Sequence, residues 1–321
     1  MDDVLTLGGA RNVQLAHGAP WARTELLSPS RESIVSLGRV KGGAATPLGE
    51  AYIALLKRAV LGDITGPVTV YQPVRTPPRG WVAGRLLQRA LASERAIMAR
   101  PTMVDLSRNE DGRLSIFALP PWPLTMIGSK RLDNVEQCIR SVLDEGVPGD
   151  FIETGVWRGG TTIFMRGVLR AYDITDRRVY VADSFEGVPP PDAARYPADR
   201  ASTFHLWADL AVDLATVKDN FARFGLLDDQ VEFVKGWFRD TLPALRGHTW
   251  AVVRLDGDLY ESTMDALENL YDGLAVGGWL IVDDYEIEAC RQAVTDFRAA
   301  RGVTEQINSI DENGVCWQKA G

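Results

Sequence analysis

The sequence predicts an α/β protein built on a doubly wound, mostly parallel sheet with helices on both faces. Two observations predict it. From Asp150 onward, short apolar runs alternate with helical segments, the pattern that a parallel sheet with crossover helices requires. Most of those runs also end in polar or acidic residues, Glu153, Asp183, Asp256 and Asp283 among them. The carboxyl ends of parallel strands are where such sheets bind ligands.

In chain order, residues 1–46 are rich in Gly, Ser, Pro and Ala and show little periodicity. They read as an extended or partly disordered arm. Residues 47–124 read as a helical and hairpin region, serving as a cap or in oligomerisation. Within it a helix is expected over about 48–61, with Ala51, Leu55 and Ala59 on one face. Prolines 67, 73, 77 and 78 mark a loop, and a second helix is expected over 82–98. Apolar runs at 103–106 and 114–117, around the turn 109–112, suggest a hairpin. Residues 125–321 carry the ligand-binding domain. Its expected helices cover about 130–145, 161–172, 210–224, 262–270 and 289–301. Its expected strands cover about 150–154, 179–183, 231–235, 250–255, 279–283, 305–309 and 315–318.

Composition narrows the function. With 321 residues and 45% hydrophobic content, the chain can bury a full-sized core. The net charge of −8 and the lack of a Lys/Arg block argue against nucleic acid as a partner. Three cysteines without a CxxC spacing argue against a disulfide framework or a thiolate zinc site. They fit a reducing compartment, and a cytoplasmic location is expected. Met1-Asp2-Asp3-Val4 opens without the apolar run of a signal peptide, and no stretch of about 18 apolar residues spans a membrane.

The chemistry concentrates at the strand ends. The first ends in Glu153-Thr154-Gly155-Val156-Trp157-Arg158-Gly159-Gly160, just before a helix. Glycine lets the backbone turn sharply and approach a ligand closely. The next strand ends in Asp183-Ser184, and a carboxylate there can accept both hydroxyls of a ribose. A dinucleotide needs GxGxxG spacing, and Gly155 is followed by three non-glycines. Glu153 would be awkward beside a pyrophosphate but suits the cationic amino group and sulfonium of S-adenosylmethionine. An ordinary βα turn without a ligand is the plain alternative. The third strand ends in Gly236-Trp237-Phe238, where either ring could flank an adenine or simply pack in the core.

The fourth strand ends in Asp256-Gly257-Asp258 and the fifth in Asp283-Asp284. On neighbouring strands, Asp256, Asp283 and Asp284 would converge, and three crowded carboxylates repel one another unless a cation joins them. With three histidines in the chain, an all-oxygen set suits a hard ion such as Mg²⁺. Asp258 followed by Glu261 also reads as a helix capping box.

These strings carry a family likeness. Thr125-Met126-Ile127-Gly128 with Arg131-Leu132-Asp133-Asn134, the run 150–165, the run 183–187, the run 226–230, Lys235 to Pro243, Leu255 to Thr263 and Gly277 to Tyr285 resemble the macrocin-type O-methyltransferases. Members of this family methylate deoxysugar hydroxyls on macrolides and other glycosylated natural products. The likeness runs from about Leu48 to the C-terminus and is strongest between Thr125 and Tyr285. It implies a class I methyltransferase sheet of seven strands, S-adenosylmethionine and Mg²⁺ as cofactors, a glycosylated small-molecule substrate, and a homo-oligomer, dimer or tetramer. It places Glu153, Thr154 and Gly155 toward the methionine end of the cofactor, Asp183 and Ser184 at its ribose, and Gly236, Trp237 and Phe238 toward the adenine. Thr125 and Met126 match a segment folding over the cofactor. Asp256, Asp283 and Asp284 match the metal ligands, Asp256 lying also beside the cofactor, and Asp258 matches the position proposed as general base. Two rival readings are a metal-dependent catechol or phenol O-methyltransferase and a non-catalytic S-adenosylmethionine-binding partner protein.

Overall fold

The computed structural model describes residues 45–65, 68–73, 99–104 and 123–321. The arm up to residue 44, the helix expected over 82–98 and the hairpin arm expected at 114–117 lie outside the described residues. Helix α1 (Pro47–Val60) starts where Thr46 Oγ1 accepts the Gly49 N–H at 3.1 Å and proline takes the first helical position. Its buried stripe is Ile53, Leu56, Ala59 and Val60. Of the expected face Ala59 is buried, but Ala51 and Leu55 are exposed, because α1 has apolar residues on more than one side and the contact with the domain selects the neighbouring stripe.

Strand β1 (Val68–Pro73) pairs antiparallel with β2 (Ala99–Val104), Val68 facing Val104 and Pro73 facing Ala99. Pro73, expected in a loop, therefore ends a strand, while prolines 67, 77 and 78 lie outside the described residues. Proline is tolerable there, since every strand of a two-stranded ribbon is an edge. Met103 and Val104 are in a strand as expected, but its partner precedes it in the chain.

The main domain is a seven-stranded sheet. Helix α2 (Ser129–Asp144) leads into β3 (Asp150–Thr154), α3 (Gly160–Ala171), β4 (Val179–Asp183), α4 (Leu214–Arg223) and β5 (Val231–Lys235). The short α5 (Phe238–Thr241), then β6 (Trp250–Leu255), α6 (Tyr260–Leu270), β7 (Leu274–Val282), α7 (Glu288–Arg301), β8 (Asn308–Ser309) and β9 (Val315–Gln318) complete it. The strand order is β5-β4-β3-β6-β7-β9-β8, parallel from β5 to β7, with β9 antiparallel to both its neighbours. This is the expected doubly wound sheet. Alternate residues feed two cores: Phe151 and Val181 pack with Leu132, Ile139 and Phe164, while Ile152 and Val253 pack with Leu267, Leu270 and Phe297. Strand β7 begins earlier than expected, with Gly277 and Gly278 inside the strand beside a register shift against β6. No helix among the described residues is long and apolar enough to cross a membrane.

The segment before α2 is pinned onto the start of α3. Gly160 N–H donates to the Leu124 carbonyl at 3.0 Å. A Cβ on Gly160 would stand 2.6 Å from both the carbonyl carbon and the oxygen of Leu124. A helical alanine is worth up to about 1 kcal/mol over glycine, whereas forcing a methyl into close-packed backbone costs about 1–3 kcal/mol. Gly160→Ala is therefore expected to lower stability by about 1–2 kcal/mol in urea denaturation. A neutral or stabilised variant would show that the 123–127 segment is not seated there.

Candidate active site

The chain order reverses between β3 and β6: successive strands run outward from β3 to β5, then return to β6 and β7 on its other side. Ligand crevices of doubly wound sheets open at this switch point. Here the strand ends are stitched together by Gly155 N–H to the Ala182 carbonyl at 2.8 Å and Asp256 N–H to the Thr154 carbonyl at 2.9 Å. Gly155 has φ +86, and a Cβ on it would lie 1.7 Å from the Asp256 carbonyl oxygen. No side chain fits, so the loop and the β6 end share a wall.

A cleft opens over this point, lined by the ends of β3, β4, β5 and β6 and the loops that follow them. Of the residues expected at a cofactor, Met126, Gly155, Asp183, Ser184, Trp237, Phe238 and Asp256 line it. Thr125, Glu153, Thr154 and Gly236 do not. Thr125 is buried with its hydroxyl 3.3 Å from that of Thr161, holding the segment that presents Met126. Thr154 is buried beneath Gly155, and Gly236 N–H donates to the Asp183 carbonyl at 2.9 Å. Asp183 accepts the N–H groups of Val156 and Phe185, each at 2.7 Å, which ties the glycine loop to β4. Burial still raises its pKa, and those backbone donors oppose the rise. The glycine cradle and this carboxylate suit a nucleoside cofactor with a cationic amino-acid end.

Arg254 organises the rest. It lies in β6, fully buried, and donates to Glu153 and, at 2.8 Å, to Asp256, while its other terminal nitrogen pairs with Asp283. Burial opposes its charge, but Asp283, Asp256 and Glu153 together outweigh that and hold it protonated. Glu153 thus faces Arg254, and among the described residues nothing donates to its buried Oε2. Burial lifts Glu153 to about 8, against the pull of Arg254. Arg131 of α2 is the second cation, pairing with Asp283 and, at 3.1 Å, with Asp311.

Asp256, Asp283 and Asp284 each bring one carboxylate oxygen within 4.8 Å of the others. The set is all oxygen and too negative for its two arginines, which fits a hard divalent cation. Both oxygens of Asp283 already face arginines, so Asp256 and Asp284 are the freer donors. Asp258 lines the cleft beside them at φ +58, a strained angle for a residue with a side chain. Its N–H donates to Asp284 Oδ2 at 3.2 Å. The capping-box reading does not hold: the N–H groups of Tyr260 and Glu261 at the start of α6 donate to Asp199, at 2.7 and 3.0 Å. Burial, then Asp283, pushes Asp256 up to about 6. Burial, then Asp256 and Asp283, pushes Asp258 up to about 7. Asp284 rises well above the carboxylate range through burial and then Asp256, Asp258 and Asp283.

Several residues of the site escaped the sequence reading. Trp157 lines the cleft, its indole N–H donating to the Asp209 carbonyl at 2.8 Å and its ring 4.2 Å from the Arg158 guanidinium. An aromatic inside a glycine loop was the signal. Arg254 had a clearer one, a charge inside the apolar run Trp250–Leu255 that had to find partners. Val188, Pro189 and Leu210 come from the long β4–α4 connection, which shows no pattern linking it to the cleft.

Carboxyls with raised folded-state values hold protons that the unfolded chain releases above about pH 4. Stability of the protein without divalent cation is therefore lost as pH rises through the window up to the values of about 6, 7 and 8 for Asp256, Asp258 and Glu153. The melting temperature in EDTA is expected to fall between pH 5 and 8, and Asp284→Asn is expected to raise it at pH 8 by removing a carboxyl that burial and its acidic neighbours disfavour. A variant less stable than the parent at pH 8 would contradict the excess of negative charge.

Comparison with known proteins agrees with this geometry. The family model for macrocin O-methyltransferase (TylF) matches residues 49–319. A relative from Streptomyces olivaceus, 8-demethyl-8-(2,3-dimethoxy-alpha-L-rhamnosyl)-tetracenomycin-C 4'-O-methyltransferase, is 56% identical over 201 residues, 61% of this chain and 77% of the relative. Mycinamicin III 3''-O-methyltransferase of Micromonospora griseorubida is 49% identical over 66% of this chain and 84% of its own length. Demethyldecarbamoylnovobiocin O-methyltransferase of Streptomyces niveus is 50% identical over 62% and 78%. Among solved structures, the O-methyltransferase NovP superposes with a TM-score of 0.69 at 40% identity, covering 85% of this chain and all of NovP. The calicheamicin methyltransferase CalS11, at 17% identity and a TM-score of 0.50, shares the fold. With the glycine cradle, Asp183 and the β6 carboxylates all inside the matched span, the chain belongs to the macrocin O-methyltransferase family and is an S-adenosylmethionine-dependent O-methyltransferase.

Proposed function

We propose that this enzyme methylates a deoxysugar hydroxyl of a glycosylated natural product, with Mg²⁺ or a similar divalent cation held by Asp256 and Asp284 beside Asp283. The observation that carries the reading is the oxygen cluster next to Asp258 at the cleft wall. The named acceptors of the relatives, a rhamnosyl tetracenomycin, a mycinamicin and a novobiocin precursor, supply the acceptor class. When bound, the cation supplies charge that lowers the pKa of a hydroxyl nearby. Glu153, Arg254 and Arg131 hold the carboxylates in place. Met126 and Trp157 line the cleft, where their apolar surface would help exclude water. Asp258, lifted to about 7, takes the proton of the acceptor hydroxyl near neutral pH. The oxygen forms a bond to the methyl carbon as the carbon–sulfur bond breaks, leaving S-adenosylhomocysteine. No covalent enzyme intermediate is involved, so positioning contributes much of the rate.

The test is methyl transfer followed by mass spectrometry on three acceptor groups: glycosides with free deoxysugar hydroxyls, their aglycones, and catechols. Glycosides are expected to gain a methyl group while the other two do not, and EDTA is expected to stop transfer until Mg²⁺ is restored. Asp258→Asn is expected to reduce kcat by about 10²–10⁴-fold with the Kd for S-adenosylhomocysteine within a few-fold of the parent. Transfer to catechols alone would overturn the acceptor reading, and full activity in EDTA would overturn the metal.

A further inference from the structure

Glu261 sits in the first turn of α6 with 6% of its side chain exposed. Its Oε1 faces Arg239 Nη1 at 3.3 Å, and among the described residues nothing donates to its buried Oε2. A buried acceptor left without a donor is costly, so a structure that retains one has a use for it. The chemistry proposed above makes no use of Glu261, which belongs neither to the oxygen cluster nor to the proton-accepting position. Its main chain is anchored by Asp199, so the side chain projects from a fixed point.

The surroundings indicate the donor. Glu261 lines the same cleft as Trp237 and Phe238. Phe238 reaches the base of α6, its Cε2 standing 3.6 Å from where a Cβ on Gly257 would lie. S-adenosylmethionine presents three recognisable parts: a cationic amino-acid end, a ribose diol and an adenine. The glycine cradle suits the first and Asp183 the second. Adenine is a flat ring with apolar faces and an exocyclic amino group on its edge. It calls for aromatic surface and one hydrogen-bond acceptor, and aromatic rings with an unpartnered carboxylate oxygen are what this wall offers.

We propose that Glu261 Oε2 accepts a hydrogen bond from the exocyclic amino group of the cofactor's adenine, with Arg239 orienting the carboxylate. This makes Glu261 the residue that distinguishes adenine from other purines, and it rests on the reading of the cleft as the S-adenosylmethionine site. The carboxyl of Asp265 also lines the cleft one turn further along α6 and is the competing acceptor.

The experiment is calorimetric titration of S-adenosylhomocysteine and of S-inosylhomocysteine, in which a carbonyl oxygen replaces the amino group and would face the carboxylate. The parent is expected to bind the adenosyl compound about 100-fold or more tightly than the inosyl one. Glu261→Gln is expected to weaken adenosyl binding about tenfold and to bring the two ligands within a few-fold, because its amide can donate to the carbonyl. Asp265→Asn is expected to keep the parent's ratio. A parent that binds the two ligands equally, a Glu261→Gln protein with the parent's ratio, or an Asp265→Asn protein that loses it would each overturn the proposal. If Glu261→Gln does not fold by circular dichroism, Arg239→Gln, at an exposed position, takes its place: a reduced ratio is expected, and an unchanged one overturns the proposal. Failure of the parent to bind either ligand would instead overturn the cofactor reading of the cleft.

Discussion

The guanidinium of Arg254, inside an otherwise apolar strand, is the interaction on which the active site depends. An isolated buried charge would carry a desolvation penalty of several kcal/mol. Arg254 offsets it by engaging Glu153 on β3, Asp256 on its own strand and Asp283 at the end of β7. One side chain therefore ties together the ends of three adjacent parallel strands where the topology opens a crevice. Arg131 extends the network to α2 and to Asp311 before β9. Removing one partner of such a set leaves the others buried and uncompensated, typically at about 3–5 kcal/mol.

The carboxylates are arranged for function at some cost to stability. Five of them, Glu153, Asp256, Asp258, Asp283 and Asp284, meet two guanidiniums. Burial first, and then like-charge crowding, raises their pKa values, and Asp258 sits in a left-handed backbone conformation. The cation and the proton transfer proposed for this cleft would make use of both features. The rest of the domain carries the compensation in two apolar cores on either side of the sheet and in backbone contacts, such as Gly155 on Asp256, that leave little room to relax.

Much of this was legible in the chain. Parallel strands buried on both faces show as continuous apolar runs, and those ending at Thr154, Asp183 and Leu255 appear where expected, as does the partly exposed edge strand ending at Lys235. The acids after them converge because the topology makes neighbours of β6 and β7. What was not legible depended on tertiary choice. Glu153 reads as a ligand-facing acid until Arg254 is seen to claim it. Asp258 reads as a cap until Asp199, far away in sequence, is found at the start of α6. The stripe buried by α1 depends on which side meets α3, and β1 is hidden by the prolines at its ends.

The central claim is that the carboxylate cluster exceeds its arginines and is completed by a divalent cation. Its most direct test is binding of Mn²⁺, as a paramagnetic substitute for Mg²⁺, followed by electron paramagnetic resonance in the parent and in Asp284→Asn without acceptor. The account predicts one ion per chain in the parent and a large loss of affinity in the variant, with S-adenosylhomocysteine binding retained in both. Absence of ion binding in the parent, or equal binding in the variant, would contradict it.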